Sequence, residues 1–146
     1  MHKKITVYSR QRAIRVRIEA LQQFAERALA ECVKIPGITG TELERLEEIS
    51  VILVSDRRMA GLHRKFLQLA GATDVITFQH GEVVVSLETA QRNARRFGNS
   101  LEQEVRRNIA HGLLHLHRFN DNNSKDAAEM ETVQKRLVEA ATKAKA

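Results

Sequence analysis

The densest group of chemically active residues in this sequence lies between His111 and Asp121. Three of the six histidines fall within seven residues there, and His111 and His115 are four positions apart. Four residues turn an α-helix by about 400°, so these two imidazoles project to the same side, one turn apart. That spacing allows both histidines to bind one metal ion, with the carboxylate of Asp121 as a third ligand.

The first and third of these positions are ten residues apart, as in zincin-type sites, where a helix supplies two ligands and the following turn supplies the third. Zinc peptidases of that type place a glutamate directly after the first histidine as general base, and this chain has Gly112 there. A conventional metallopeptidase is therefore disfavoured, whereas a metal held by three protein ligands could still act as Lewis acid and water activator on a phosphodiester. The alternative interpretation is a pair of histidines that only pack and form hydrogen bonds.

The histidines belong to a segment whose apolar residues recur with helical periodicity after Ser100. Ser100 and Gln103 have the spacing of a capping box, which predicts the start of the helix. The predicted buried stripe consists of Leu101, Val105, Ile109, Gly112, Leu113 and Leu116. His111 and His115 lie on its border and should face a groove. His117 projects to the far side of the stripe, so we exclude it from the site.

The remaining patterns predict an α+β (mixed α/β) fold within a single domain, residues 1–146. A small mixed sheet of three or four strands should pack with about four to five helices, one of them a zincin-like histidine-bearing helix. Strand patterns cover residues 3–9, 48–55, 74–78 and 82–86, with His80 and Gly81 allowing a tight reversal. Helical patterns cover 13–33, 56–67 with Asp56 as cap, and 87 to the end with breaks at 97–100 and 120–124.

The composition, with 42% hydrophobic and 29% charged residues, fits a globular chain with its own core. The net charge of +6 favours an anionic partner, nucleic acid first. Five Phe, one Tyr and no Trp leave few rings for base stacking, so we expect contacts mainly to phosphates. Cys32 stands alone and should be a buried small hydrophobic residue. Without a signal core or an apolar run near ~18 residues, we expect a cytoplasmic protein.

The segment from His111 to Asp121 reads His-Gly-Leu-Leu-His-Leu-His-Arg-Phe-Asn-Asp. It resembles the pattern His-Gly-x-Leu-His-Leu-x-Gly-Tyr-Asp-His of the YbeY family, bacterial rRNA maturation factors regarded as zinc-dependent endoribonucleases. Thr73–Phe78 and Gly81–Ser86 likewise resemble the family's Thr-Asp-Val-Leu-Ser-Phe and Gly-Asp-Ile-Val-Ile-Ser. The resemblance implies the family fold, one zinc or other divalent ion per chain, and rRNA and the small ribosomal subunit as partners.

Differences from the family pattern lie in the segment that contains the predicted third metal ligand. Asp121 stands where the family has a third histidine, and a carboxylate is a competent zinc ligand. Asn120 replaces an aspartate beside it. Arg118 replaces a glycine, so a left-handed turn there would cost on the order of 1 kcal/mol.

The family is also thought to use an arginine that contacts phosphate, and Leu67 occupies that position. Arg64, Lys65 and Arg118 are the candidates to supply positive charge for RNA instead. Two functional hypotheses remain. The first is a divergent metal-dependent endoribonuclease of rRNA maturation and ribosome assembly, and the second is a catalytically inactive relative that binds RNA or the ribosome.

Overall fold

The computed structural model describes residues 3–67 and 73–143, without the side chain of Leu67. Strands and helices are mixed in the first part of the described chain, and three helices follow. The elements are β1 (Lys4–Ser9), α1 (Ile18–Val33), α2 (Glu42–Arg45), β2 (Glu48–Val54), α3 (Asp56–Leu67), β3 (Val75–Phe78), β4 (Glu82–Ser86), α4 (Leu87–Phe97), α5 (Leu101–Leu116) and α6 (Ser124–Lys143).

The four strands form one mixed sheet in the order β1-β2-β4-β3. Strand β2 pairs in parallel with both β1 and β4, while β3 and β4 are antiparallel. The reversal between β3 and β4 closes through a hydrogen bond that the Gly81 N–H donates to the Phe78 carbonyl at 2.9 Å. Gly81 has a φ of 106°, which favours glycine. The predicted mixed sheet is thus confirmed, and its last two strands are hairpin partners.

Alternation along the strands gives the sheet two faces that are covered very differently. Val51 and Leu53 of β2 belong to the main core, which α1, α5 and α6 complete on one face. The opposite face carries a smaller cluster, in which Met59 of α3 meets Val54, Ile76 and Val84. The histidine-bearing helix α5 therefore lies on the heavily packed face.

Helix α1 begins five residues later than predicted, at Ile18. The Gln11 side chain binds both the N–H and the carbonyl of Ile14, at 2.9 and 2.8 Å, and so holds the preceding segment as a loop. The short helix α2 was not predicted, although Thr41 and Glu44 form a capping box that announces it. With α2 included, the described residues contain six helices rather than four to five.

The predicted cap of α3 is also wrong, because Ser55 and not Asp56 precedes the helix. The Ser55 hydroxyl accepts a hydrogen bond from the Arg58 N–H at 3.2 Å. Asp56 is the first helical residue, and its carboxylate accepts hydrogen bonds from the hydroxyls of Ser86 and Thr89. Asp56 thus joins α3 to the start of α4 instead of capping its own helix.

Cys32 is fully buried in the main core, as predicted, and burial raises the pKa of its thiol to about 12. It is therefore an inert core residue. Among the described residues, no helix is both long enough and apolar enough to cross a bilayer.

Gly112 determines how closely α5 approaches the β3–β4 hairpin. A Cβ at this position would lie 2.5 and 2.8 Å from the two Cγ atoms of Val83 and 3.2 Å from Thr77 Oγ1. Side chains of the strands, not backbone, therefore occupy the space beside Gly112. Val83 is branched and fully buried, so it has no room to move aside.

We predict that Gly112→Ala destabilises the fold by about 1–2 kcal/mol, because overpacking exceeds the gain in helix propensity. Gly61→Ala in α3 is the matched control, since nothing lies within 4 Å of a Cβ at that helical glycine. It should stabilise the protein by up to about 1 kcal/mol. Urea denaturation measures both, and equal effects of the two substitutions would contradict the close-packing argument.

Candidate metal centre

Helix α5 starts where the sequence predicted. The Ser100 hydroxyl accepts from the Gln103 N–H at 3.1 Å, and the Gln103 side chain accepts from the Ser100 N–H at 2.7 Å. The helix then packs against α1, α4 and α6 and against strands β3 and β4. Because it is held on several sides, α5 presents His111 and His115 from a fixed position beside β3.

The end of α5 turns the chain back toward these histidines. Arg118 has a φ of 70°, which confirms the left-handed turn. The Phe119 N–H donates to the Leu114 carbonyl at 2.9 Å and the Arg118 N–H to the His115 carbonyl at 3.2 Å, which is a Schellman motif. This turn directs the following residues, including Asp121, toward the exposed side of His115.

His111, His115 and Asp121 come together as the sequence predicted. One nitrogen or oxygen from each lies within 4.8 Å of the others. The Nε2 atoms of the two histidines are 2.9 Å apart, and their rings are nearly perpendicular at 77°. The histidines are half-buried while Asp121 is exposed. The group of three is therefore open to solvent on the carboxylate side.

The other side of each imidazole is fixed by a separate hydrogen bond. His111 Nδ1 lies 2.8 Å from Gln134 Oε1, and Gln134 is buried on α6. An amide oxygen only accepts, so this Nδ1 carries the proton and Nε2 of His111 has a lone pair. The ring of His115 is held by a hydrogen bond to the backbone of Phe119. Both rings are thereby oriented with Nε2 toward the shared position.

Two facing nitrogen lone pairs at 2.9 Å repel unless a proton or a cation lies between them. A tetrahedral zinc ion with bonds of about 2.0–2.1 Å holds two nitrogen ligands about 3.3 Å apart, so a small opening of the pair accommodates it. Two imidazoles and one carboxylate form an established donor set for catalytic zinc. The residues present therefore fit a divalent ion with one coordination position left open.

The electrostatics of His115 favour its neutral form. Burial lowers the pKa of this imidazole, and the neighbouring His111 lowers it further, while Asp121 and the Phe119 backbone act in the opposite direction. A neutral imidazole is the form that donates a lone pair to a metal.

A cleft of about 280 Å³ lies in front of the pair, between β3 and α5. Thr77 and Phe78 line it from the strand, and His63 lines it from α3. None of the described residues that line this cleft is a lysine or an arginine. The cleft has room for a phosphodiester. Cationic side chains that contact the phosphate must come from outside the described lining of this cleft.

The three candidates for RNA contact do not converge on this cleft. Arg64 is exposed on α3, and Lys65 lines a different groove on the opposite face of the sheet. Arg118 donates from its guanidinium to the Gly40 carbonyl at 2.9 Å. The side chain of Leu67 lies outside the described residues. RNA contact by these candidates stays a prediction.

His117 lies apart from the histidine pair, as its place on the helix predicted. It is fully buried, with Nδ1 2.9 Å from the Thr41 hydroxyl. Sequence reasoning missed Gln134 and His63. The sequence does contain a signal for Gln134: it is a polar residue at a buried position of α6, between Met130 and Leu137.

Comparison with known proteins agrees with this fold. A family profile described as Endoribonuclease YbeY matches residues 6–142. A Bacteroides fragilis protein of that name is 33% identical over 111 residues, spanning 71% of this chain and 80% of the relative. One from Aquifex aeolicus is 35% identical over 112 residues, spanning 70% and 68%.

The solution structure of a Thermotoga maritima protein is also similar, with a TM-score of 0.62 and 31% identity. The likeness covers 94% of this chain and 88% of that one. The sequence match and the shared fold both extend over nearly the whole chain, so this protein belongs to the YbeY family.

Proposed function

We propose that this protein is a metal-dependent endoribonuclease that cleaves ribosomal RNA during its maturation. The observation that carries the proposal is the convergence of two oriented Nε2 atoms, 2.9 Å apart, with a carboxylate within 4.8 Å. The name of the relatives, endoribonuclease, supports RNA as the substrate. The proposal includes the small ribosomal subunit as a partner and the cytoplasm as the place of action.

His111, His115 and Asp121 would hold one divalent ion, zinc according to the donor set. When bound, that ion supplies Lewis-acid polarisation of a phosphodiester and activation of water. The protein's own part is to fix the imidazoles. Gln134 keeps the proton of His111 on Nδ1, which leaves Nε2 free to bind. The half-buried setting of both rings limits the water that competes for this position.

The second candidate is an inactive relative that binds RNA or the ribosome. The absence of lysine and arginine from the described lining of the metal cleft favours it, because phosphate binding then has little local support. The two candidates share the fold and differ in turnover, so metal content and cleavage separate them.

We predict that the purified protein binds about one divalent ion per chain and that His111→Ala abolishes this binding, since a two-ligand remnant is weak. Asp121→Ala should also remove stoichiometric binding, because it likewise leaves only two ligands. His80→Ala, at an exposed histidine of the hairpin turn, is the matched control and should keep the ion. Elemental analysis and zinc titration provide the measurement, and a metal-free wild type in chelator-free buffer would contradict the proposal.

We predict that the metal-loaded protein cleaves single-stranded rRNA fragments and that His111→Ala removes this cleavage, which gel analysis of end-labelled RNA would measure. Stoichiometric metal without cleavage in the wild type would favour the inactive relative. Cleavage that persists in His111→Ala would assign the activity to another site or a contaminant.

Gln134 gives an independent prediction, because it orients His111 without touching the metal position. Gln134→Leu should lower zinc affinity about 10–100-fold, as expected when the partner of a ligating histidine is lost. Gln134→Glu keeps an acceptor for Nδ1 and should retain zinc. Zinc titration with thermal unfolding of the metal-free forms separates a ligand effect from a folding effect. Equal zinc affinities for Gln134→Leu and the wild type would refute this role.

A further inference from the structure

The sheet face opposite the histidine helix carries a second and larger concave surface. This sheet groove encloses about 980 Å³ between α3 and the exposed face of the strands. Its floor includes Ile52 and Val54 of β2 and Val84 of β4, and Phe78 of β3 borders it. Helix α3 covers part of this face, and the groove extends from this helix to Arg10, just past the end of β1.

The sheet groove is strongly positive. Arg10, Arg57, Arg58 and Lys65 line it, against the single carboxylate of Glu82, a formal excess of three positive charges. Glu82 itself lies 2.9 Å from His80 Nε2. Within the described chain, none of the four cations forms an ion pair with a carboxylate. Four cations left unneutralised beside one groove are complementary to a polyanion.

Three rings form a row along the same groove. The Phe66 and Phe78 rings meet edge to face at 5.4 Å, and Phe78 stacks on His80 at 5.6 Å with an interplanar angle of 20°. Phe66 is 54% exposed, and the His80 side chain is 68% exposed. Rings exposed to this extent add little to the core, but they offer faces on which bases can stack.

We propose that the sheet groove binds single-stranded RNA, with phosphates on Arg57, Arg58 and Lys65 and bases on the row of rings. Cations combined with aromatic faces are the recognition chemistry of unpaired strands. A duplex keeps its bases stacked inside and cannot use the rings. An acidic peptide would satisfy the charges but would have no flat faces for the row.

The groove also adjoins the metal cleft. Phe78 lines both, because β3 is the edge strand of the sheet. A strand bound in the groove can therefore pass over this edge to the histidine pair, and the groove supplies the cations that the described lining of the cleft lacks. This path to the metal rests on the proposed nuclease function, whereas RNA binding in the groove does not.

The test is binding of a labelled single-stranded RNA of about 12 nucleotides to the full chain in EDTA, so that cleavage does not interfere. Arg57→Ser with Arg58→Ser should weaken binding roughly tenfold and reduce the slope of log K against log salt by about 1.4, for two lost phosphate contacts. Lys135→Ser with Arg136→Ser is the matched control, an adjacent exposed pair on α6, and should bind like the wild type.

Phe66→Ala tests the row of rings and should lower affinity roughly tenfold without changing the salt slope. A matched RNA duplex and poly-glutamate serve as competitors, and neither should displace the strand at equal charge concentration. Preference for the duplex, or displacement by poly-glutamate, would overturn the proposal. Normal binding by the Arg57/Arg58 and Phe66 variants would also overturn it.

Failure of the nuclease proposal is distinguishable from failure of this one. His111→Ala should bind the RNA in EDTA as the wild type does, whether or not the wild type cleaves. If the groove variants lose RNA binding and the wild type does not cleave RNA, the groove proposal is supported and the nuclease proposal is refuted. If the groove variants bind and cleave RNA as the wild type does, the groove proposal is refuted and the nuclease proposal is supported.

Discussion

The close contact of α5 with the β3–β4 hairpin at Gly112 is the constraint on which the site depends. With a Cβ there, Val83 and Thr77 would force the helix away from the sheet. Both helical histidines sit within one turn of this contact, so their distance from β3 is set by close packing rather than by their own side chains. The same contact forms one wall of the metal cleft, since Thr77 lines it.

Hydrogen bonds then convert this placement into a binding geometry. Gln134 and the Phe119 backbone fix the far side of the two imidazoles, and the left-handed turn at Arg118 brings Asp121 toward them. Two parts of the chain, α5 and the turn after it, therefore converge on one position, and α6 holds one of the imidazoles from its far side. An aspartate can serve as third ligand here because its carboxylate remains at the solvent side, where its negative charge is well solvated.

The two faces of the sheet are covered to very different extents. One face carries the main core and the histidine pair, and the other is left partly open beside α3, with its cations and rings exposed. The edge strand β3 connects the two, because alternate side chains point to opposite faces and Phe78 reaches both cavities. Composition indicated a basic chain poor in aromatic residues, but the fold places two of its five phenylalanines in one row.

Sequence patterns alone were enough to predict the histidine pair, the capped helix that carries it, the following turn and the four strands. These features follow from hydrogen bonding and periodicity over a few residues. It misplaced the start of α1 and the cap of α3, where nearby side chains such as Gln11 and Ser55 compete for the same backbone groups. Two features could be seen only in the folded chain: Gln134 orients His111, and Lys65 faces the sheet groove and not the metal cleft. Both depend on packing between segments far apart in the chain, which no local pattern encodes.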